Sequence, residues 1–426
     1  MATPASAPQK RLRKPPQLAK LNHSPNLGRS ALFNQYRRTV DALTPTHGFP
    51  RLSAFLPQHL WKWISAYLKY ALTRRYPFPA YPGSGDNGVY PLAPEPGTNQ
   101  IVIAIAGDWG TGTQEAETIA GLMCHRTPGS EKPDLTIHLG DVYYVGDEPE
   151  IDENCFGKET QGYQGVTWPH GRRGSFALNG NHEMYANGTP YFTKFLPTLG
   201  LPDGAGQLAS FFCLETEFWR ILAIDTGYNS VGIPVLSQIP LINSIPFIGG
   251  DCHLEKKLLQ WLRDVVKPQG NRKATLLLSH HQYFTAFPDH AYAKPAKQLM
   301  EFFAGQEVVW LWGHEHRMGI YGKFNLSGGI TAYGRCVGHG GMPVDLGTPD
   351  PGKAPLQYYD PRRHALDDGT MAGTNGYVVA SIQRETLTLE YRDIDDTQLL
   401  VETFTADAAG SFRYGVQDPA GILMKV

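Results

Sequence analysis

Three observations place this chain in the α/β class. Five short runs, at residues 101–106, 135–139, 176–178, 274–278 and 307–312, are rich in Val, Ile and Leu and mostly lack polar alternation. That is how strands buried on both faces read. Segments of helical period fall between them, at 114–126 and 254–266, the alternation that sets helices against the faces of a sheet. Each run also stops at a turn carrying a side chain of metal-ligand type.

Taken in order, the runs end in Gly107-Asp108-Trp109-Gly110, Gly140-Asp141-Val142-Tyr143-Tyr144, Gly180-Asn181-His182-Glu183, Ser279-His280-His281 and Gly313-His314-Glu315-His316. Open α/β sheets bind ligands beyond the carboxyl ends of their strands, and the glycines permit sharp turns and close backbone approach. Together the turns offer carboxylates, an amide oxygen, imidazoles and a phenol, the ligand set of a two-metal hydrolytic site. Ordinary Asp-Gly and Asn-Gly turns do not account for a ligand-type residue at all five positions. Between these elements, residues 146–174 read as a Gly-rich loop beside the site. Residues 231–250 read as an apolar, Pro-punctuated insertion forming a lid or contact surface, and 338–376 as a long loop with little periodicity. Long ordered loops are commonly functional, so these are expected to set substrate choice. Residues 386–393 and 398–405 read as a closing pair of strands.

The five blocks, in this order from about residue 101 to 316, resemble the calcineurin-like metallophosphoesterases. Within that superfamily they most resemble the purple acid phosphatases of the small tartrate-resistant type. The finer resemblance rests on Asp108-Trp109-Gly110, where most of the superfamily has Asp-x-His, on a Tyr three residues after Asp141, and on Ile224-Asp225-Thr226. It implies a metallophosphoesterase four-layer sandwich: two mixed β-sheets flanked by helices, with a dinuclear metal site at the strand ends.

The resemblance also implies residue roles. Asp141 bridges the metals. Asp108, Tyr144 and His316 complete one metal site, and Asn181, His280 and His314 the other. A tyrosinate at neutral pH needs a strong Lewis acid beside it, which implies iron at the first site, with iron, zinc or manganese at the second. His182 is expected to stabilise the transition state or protonate the leaving group. His281 is expected beside the metals or against the substrate phosphate. His339, in a Gly-rich loop, is a candidate to overhang the site, and Arg172 and Arg173 are candidates to clamp a phosphate. Asp225 reads as a support for its neighbours, while His125 and His138 read as structural.

A chain of 426 residues, 41% of them hydrophobic, can bury a large core. Its five widely spaced cysteines form no CxxC pair and read as free thiols. The net charge of −2 hides an asymmetry: the first ninety residues hold thirteen Lys and Arg against only Asp41 and Asp86. Residues 1–95 therefore read as a basic N-terminal extension, partly disordered, ahead of a catalytic domain at 96–426. Within the extension, Leu60, Trp61, Ile64, Tyr67, Leu68, Ala71 and Leu72 recur at helical spacing among Lys62, Lys69, Arg74 and Arg75, predicting an amphipathic helix over about 57–75. Such a helix first suggests packing on its own domain. The alternative is docking to an anionic membrane or a protein partner. No apolar signal region or membrane span is seen, so a cytoplasmic protein is expected, membrane-associated if the helix docks. No specific nucleic-acid motif is present.

The expected function is hydrolysis of a phosphate monoester, with a metal-bridging hydroxide as nucleophile. The alternatives are a phosphodiesterase or nuclease on the same fold, and a catalytically idle scaffold. The protein Ser/Thr phosphatase branch fits less well, because its second motif continues Asp-Arg-Gly and residues 142–146 do not.

Overall fold

The structure, a computed structural model, describes residues 68–426 apart from 71–72, 83–84, 125–131, 159–164, 203, 205, 232–249, 272, 366–370 and 408–410. The strands are, in order, β1 Val89–Pro91, β2 Ile101–Ala106, β3 Leu135–His138, β4 Ser175–Ala177, β5 Phe212–Glu215, β6 Trp219–Ala223, β7 Ala274–Ser279, β8 Glu307–Trp312 and β9 Met318–Phe324. They continue with β10 Thr331–Val337, β11 Leu356–Tyr359, β12 His364–Ala365, β13 Met371–Ala372, β14 Gly376–Gln383, β15 Thr386–Asp393, β16 Gln398–Ala406, β17 Phe412–Gln417 and β18 Met424–Lys425.

Two large mixed sheets result. One runs β1-β5-β6-β7-β8-β10-β9-β11-β18 and the other β17-β16-β15-β14-β2-β3-β4. Strands β2, β3 and β4 are parallel neighbours, as are β6, β7 and β8, so each sheet carries its ligand-bearing turns at one end. Because side chains alternate across a strand, each apolar run feeds two cores. Ile101, Ile103 and Ile105 face inward against Ile221, Leu276, Leu278, Val309 and Leu311 of the other sheet. Val102, Ala104 and Ala106 face outward against Ala116 and Ile119 of helix α1, Gln114–Met123. On the far face Leu277, Val308 and Trp310 pack with Leu258, Trp261, Phe302 and Phe303 from helical segments. Helix, sheet, sheet, helix gives the four layers.

The apolar core between the sheets holds one buried ionic clamp. Arg335 of β10 makes a two-point pair with Glu402 of β16, at 2.7 Å for both Nε and Nη2. Tyr391 and Tyr414 each donate a hydroxyl to Glu402 at 2.6 Å.

Two features were not visible in the sequence. Residues ahead of 96 pack on the domain as well: β1 pairs with β5, Phe78 lies in the outer core, and Tyr76 stacks on Phe192. The preceding Pro-rich stretch lacks periodicity, but its aromatic rings bury against the domain. The long loop at 338–376 holds three short strands, β11 to β13, which were too brief to show a period. The 57–75 helix falls mainly outside the described residues, where only residues 68–70 are seen as helical, and the insertion after Val231 also lies outside them. No described helix is long and apolar enough to cross a membrane, and all five cysteines are free.

Candidate metal centre

The turns after β2, β3 and β4 deliver Asp108, Asp141 and the Asn181–Met184 helical turn (α2). The turns after β7 and β8 deliver His280, His281, His314 and His316 from the opposite sheet. The backbone at three of these positions is left-handed: Asp108 at φ 56, Asp141 at φ 76 and His314 at φ 65. For residues other than Gly this conformation costs roughly 1–2 kcal/mol each, and it collects at functional sites where the surroundings enforce it. Close approach is equally enforced. A Cβ on Gly180 would overlap the Asp141 carboxylate, and one on Gly313 would lie 2.5 Å from Asp108 Oδ2.

At the centre are two fully buried carboxylates, Asp108 and Asp141. The Tyr143 hydroxyl lies 2.8 Å from Asp108 Oδ1, 3.1 Å from Asp141 Oδ2 and 3.1 Å from His316 Nε2. One O–H cannot satisfy two carboxylates at once, and two buried carboxylates require positive charge beside them. His280 Nε2 supplies some, 3.3 Å from Asp141 Oδ2. Burial alone would lower the His280 pKa, but the Asp141 carboxylate overrides it and raises it to about 9. Asp108, Asp141 and His280 offer ligand atoms within 4.8 Å of one another, and so do His280, His281 and His314. The donor set therefore fits a pair of cations.

Hydrogen bonds behind the cluster orient it. His280 donates from Nδ1 to the Leu139 carbonyl at 3.0 Å, which turns Nε2 toward the carboxylates and toward Asn181 Oδ1, 3.3 Å away. His182 donates from Nδ1 to the Tyr144 carbonyl at 2.6 Å, leaving Nε2 3.8 Å from Asp141 Oδ2. Burial lowers the His182 pKa. His281 is held by Thr226, whose Oγ1 accepts its backbone N–H at 3.0 Å and sits 3.2 Å from Nδ1. Its ring centroid is 4.4 Å from that of His314. Burial, then His280, pushes the His314 pKa down to about 3, so this ring is neutral and able to coordinate. His316 lies 3.6 Å from Asp108 Oδ1 through Nε2 and 3.8 Å from Asp345 Oδ2 through Nδ1.

The structure does not bring every expected residue into the cluster. The phenol found there is that of Tyr143, the neighbour of Tyr144, to which the family resemblance points. Residue counting does not reveal which side a turn residue faces. Here Tyr143 N bonds Gly110 O, Asn154 bonds Tyr143 O, and Glu150 takes the amides of Tyr144 and Val145. These contacts lock the turn with Tyr143 inward. Arg172 and Arg173 are not near the cluster. Arg172 pairs with Glu95 and Asp134 at 2.5 Å, and Arg173 bonds Ala93 O. Asp134 precedes β3, so both arginines sit at the opposite end of the strand from Asp141. His339 sits in a loop whose Gly338 borders Asp108 Oδ2, but its ring is buried with Nε2 against Gly376, and burial lowers its pKa to about 4.

The sequence reading gave no role to Glu183, Glu150, Thr226 or Asp345. Glu183 Oε2 accepts the amides of Gly180 at 2.8 Å and Asp141 at 3.3 Å. Burial, then Asp141, raises its pKa to about 8. Its place at the end of the third block was the one visible signal. Asp225 accepts the Tyr228 amide at 2.8 Å and so shapes the turn that carries Thr226.

A family model described as calcineurin-like phosphoesterase matches residues 101–318. No curated protein matches the sequence. Similar solved structures include a purple acid phosphatase from yellow lupin (Lupinus luteus) seeds, at 13% identity over 72% of this chain and 53% of that one, with a TM-score of 0.44. They also include PhoD, at 13% identity over 78% and 74%, TM-score 0.44. A third is GAP50, the anchor in the inner membrane complex of Plasmodium, at 11% identity over 71% and 88%, TM-score 0.42. The chain spans about half the length of the lupin protein.

Proposed function

The chain belongs to the calcineurin-like phosphoesterase family, and on that premise we propose that it hydrolyses phosphate monoesters at a dinuclear metal centre built on Asp108 and Asp141. The observation that carries this reading is the convergence of two buried carboxylates and a phenol from one sheet with imidazoles from the other. Asp141, whose carboxylate meets Tyr143 on one side and His280 on the other, would bridge the metals. Asp108, Tyr143 and His316 would hold one, and Asn181, His280 and His314 the other. Such a pair supplies Lewis acidity toward the phosphoryl oxygens and lowers the pKa of bound water into the neutral range.

Burial, then the neighbouring carboxylates, raises the Tyr143 pKa well above 10. A tyrosinate ligand would need a strong Lewis acid beside it, and on that chemistry iron is proposed at that position, with iron, zinc or manganese at the other.

The chain's own residues would do the rest. His182, fixed through Nδ1–H, would donate from Nε2 to the departing alcohol oxygen only when the ring carries a second proton there, which its lowered pKa confines to acidic pH. That donation contributes roughly 10²–10⁴-fold. His281, anchored by Thr226, would hydrogen-bond a phosphoryl oxygen. Preference for monoesters is supported by Trp109-Gly110 and the cluster phenol, which replace the Asp-x-His pattern.

The deciding experiment compares p-nitrophenyl phosphate with bis(p-nitrophenyl) phosphate on protein reconstituted with iron, zinc or manganese. A preference for the monoester is expected. Preference for the diester would move the function to nucleic acids, nucleotides or phospholipids. Hydrolysis of neither by metal-loaded protein would leave a scaffold.

A further inference from the structure

The segment ahead of β1 is bonded to the two turns that support His182 and His281. The first clasp is Asn187, five residues after His182, buried and left-handed at φ 57. Its side-chain amide donates to the Tyr70 carbonyl at 2.6 Å and to the Thr73 carbonyl and hydroxyl at 3.1 and 2.9 Å. Its own carbonyl accepts the Tyr76 amide at 3.0 Å. The same turn is sealed onto α2, because the Asn187 amide donates to the Met184 carbonyl at 3.0 Å and the Gly188 amide to the Glu183 carbonyl at 2.9 Å.

The second clasp is Arg75. It donates from Nη1 to the Tyr228 carbonyl at 2.9 Å and from Nη2 to the Val231 carbonyl at 2.7 Å. The Tyr228 hydroxyl donates in return to the Tyr76 carbonyl at 2.7 Å. Tyr228 closes the turn of Asp225 and Thr226, and Thr226 holds His281. The two clasped turns also touch each other. A Cβ on Gly227 would lie 2.4 Å from the Asn179 carbonyl oxygen and 2.7 Å from that of Gly180, so neither turn moves without the other.

Apolar contact already fixes this segment on the domain. Tyr76 stacks on Phe192 at 5.4 Å and Phe78 on Phe211 at 5.7 Å. Burial has no direction, whereas a hydrogen bond does, and here the polar bonds fall on the two turns behind the histidines. We propose that residues 73–78 are a strap that positions His182 and His281 for phosphoryl transfer. Asn187 acts through α2, and Arg75 acts through the turn that carries Thr226. Both are positioning residues. Misplacing a reacting group by about 1 Å can cost on the order of 10²-fold in rate, so a slight slackening of either turn is enough. This rests on the phosphoesterase reading of the centre.

Two measurements on the full chain separate the proposal from that reading. The first is kinetic, on metal-loaded protein at acidic pH, with metal content measured alongside. Asn187→Gly keeps the left-handed turn and removes the clasp. Protonating the leaving oxygen matters most for a poor leaving group, so kcat is expected to fall roughly 10-fold for phenyl phosphate and little for 2,4-dinitrophenyl phosphate. Arg75→Met keeps the apolar stem, and inhibition by inorganic phosphate is expected to weaken roughly 10-fold as His281 loses its place. Equal losses on both esters with unchanged phosphate inhibition would reduce the segment to packing and overturn the proposal. The second measurement is amide hydrogen exchange on metal-free protein. Exchange is expected to quicken at residues 184–188 in Asn187→Gly and at 226–230 in Arg75→Met, with β2 and β7 unaltered. Unchanged exchange at both turns would also overturn the strap. If the metal-loaded wild type hydrolyses neither ester, the phosphoesterase reading fails, and exchange still decides whether the strap holds the turns.

Discussion

Asp141 is the residue on which the centre turns. Its Oδ1 accepts the His182 amide at 3.0 Å, its Oδ2 meets Tyr143 and His280, and its own amide is held by Glu183. A carboxylate so enclosed has one orientation, so the positions of its partners carry information. That makes the choice between adjacent tyrosines testable. Tyr143→Phe is expected to weaken retention of metal by about 10–100-fold, the usual scale for disturbing a metal's ligand environment, whereas Tyr144→Phe is expected to change it little. Metal content after dialysis against a graded chelator reads the difference. The reverse order would assign the ligand to Tyr144, as the family resemblance implies.

The turns, more than the strands, carry the specificity of the fold. Each strand end is an apolar run that several sequences of similar hydrophobicity would satisfy. The residues just beyond it tolerate far less. Gly180 is the clearest case, since a Cβ there would overlap Asp141 and approach His280 Nε2 to 2.7 Å. Gly180→Ala is therefore expected to lower metal affinity at least about 10-fold while leaving the far-UV circular dichroism of the metal-free protein unchanged. Titration with zinc or manganese, followed calorimetrically, checks this. Unaltered affinity would mean that the turn can relax and that its tightness is not functional.

Two sheets that must present ligands to one another need their relative position held, and the Arg335–Glu402 clamp joins them across an otherwise apolar core. Removing one partner of such a pair leaves a buried charge, so Glu402→Gln is expected to destabilise the protein by about 3–5 kcal/mol. The double replacement Arg335→Met with Glu402→Leu is expected to recover most of that loss in urea unfolding. A second consequence concerns pH. In metal-free protein, His280 keeps its proton up to about pH 9 in the folded state, while the unfolded chain loses it near 6.5. Glu183 keeps its proton to about pH 8, whereas in the unfolded chain it ionises near 4.5. Both groups bind more protons folded than unfolded between pH 7 and 9, so stability must fall as pH rises through that window. Thermal unfolding of the metal-free protein should show this slope. Metal, which requires a neutral His280, should flatten it.

Much of this was legible in the chain. The strand ends, the order of the five blocks and the identity of most cluster residues follow from apolar runs that stop at turns, because burial and turn chemistry are local properties. The face presented by Tyr143, the far-end position of Arg172 and Arg173 and the burial of His339 were not. Each depends on which segments come to lie beside one another, and a residue far off in sequence, Gly110, Asp134 or Gly376, helps decide it. Local sequence specifies what a strand end offers; packing between two sheets specifies what it faces.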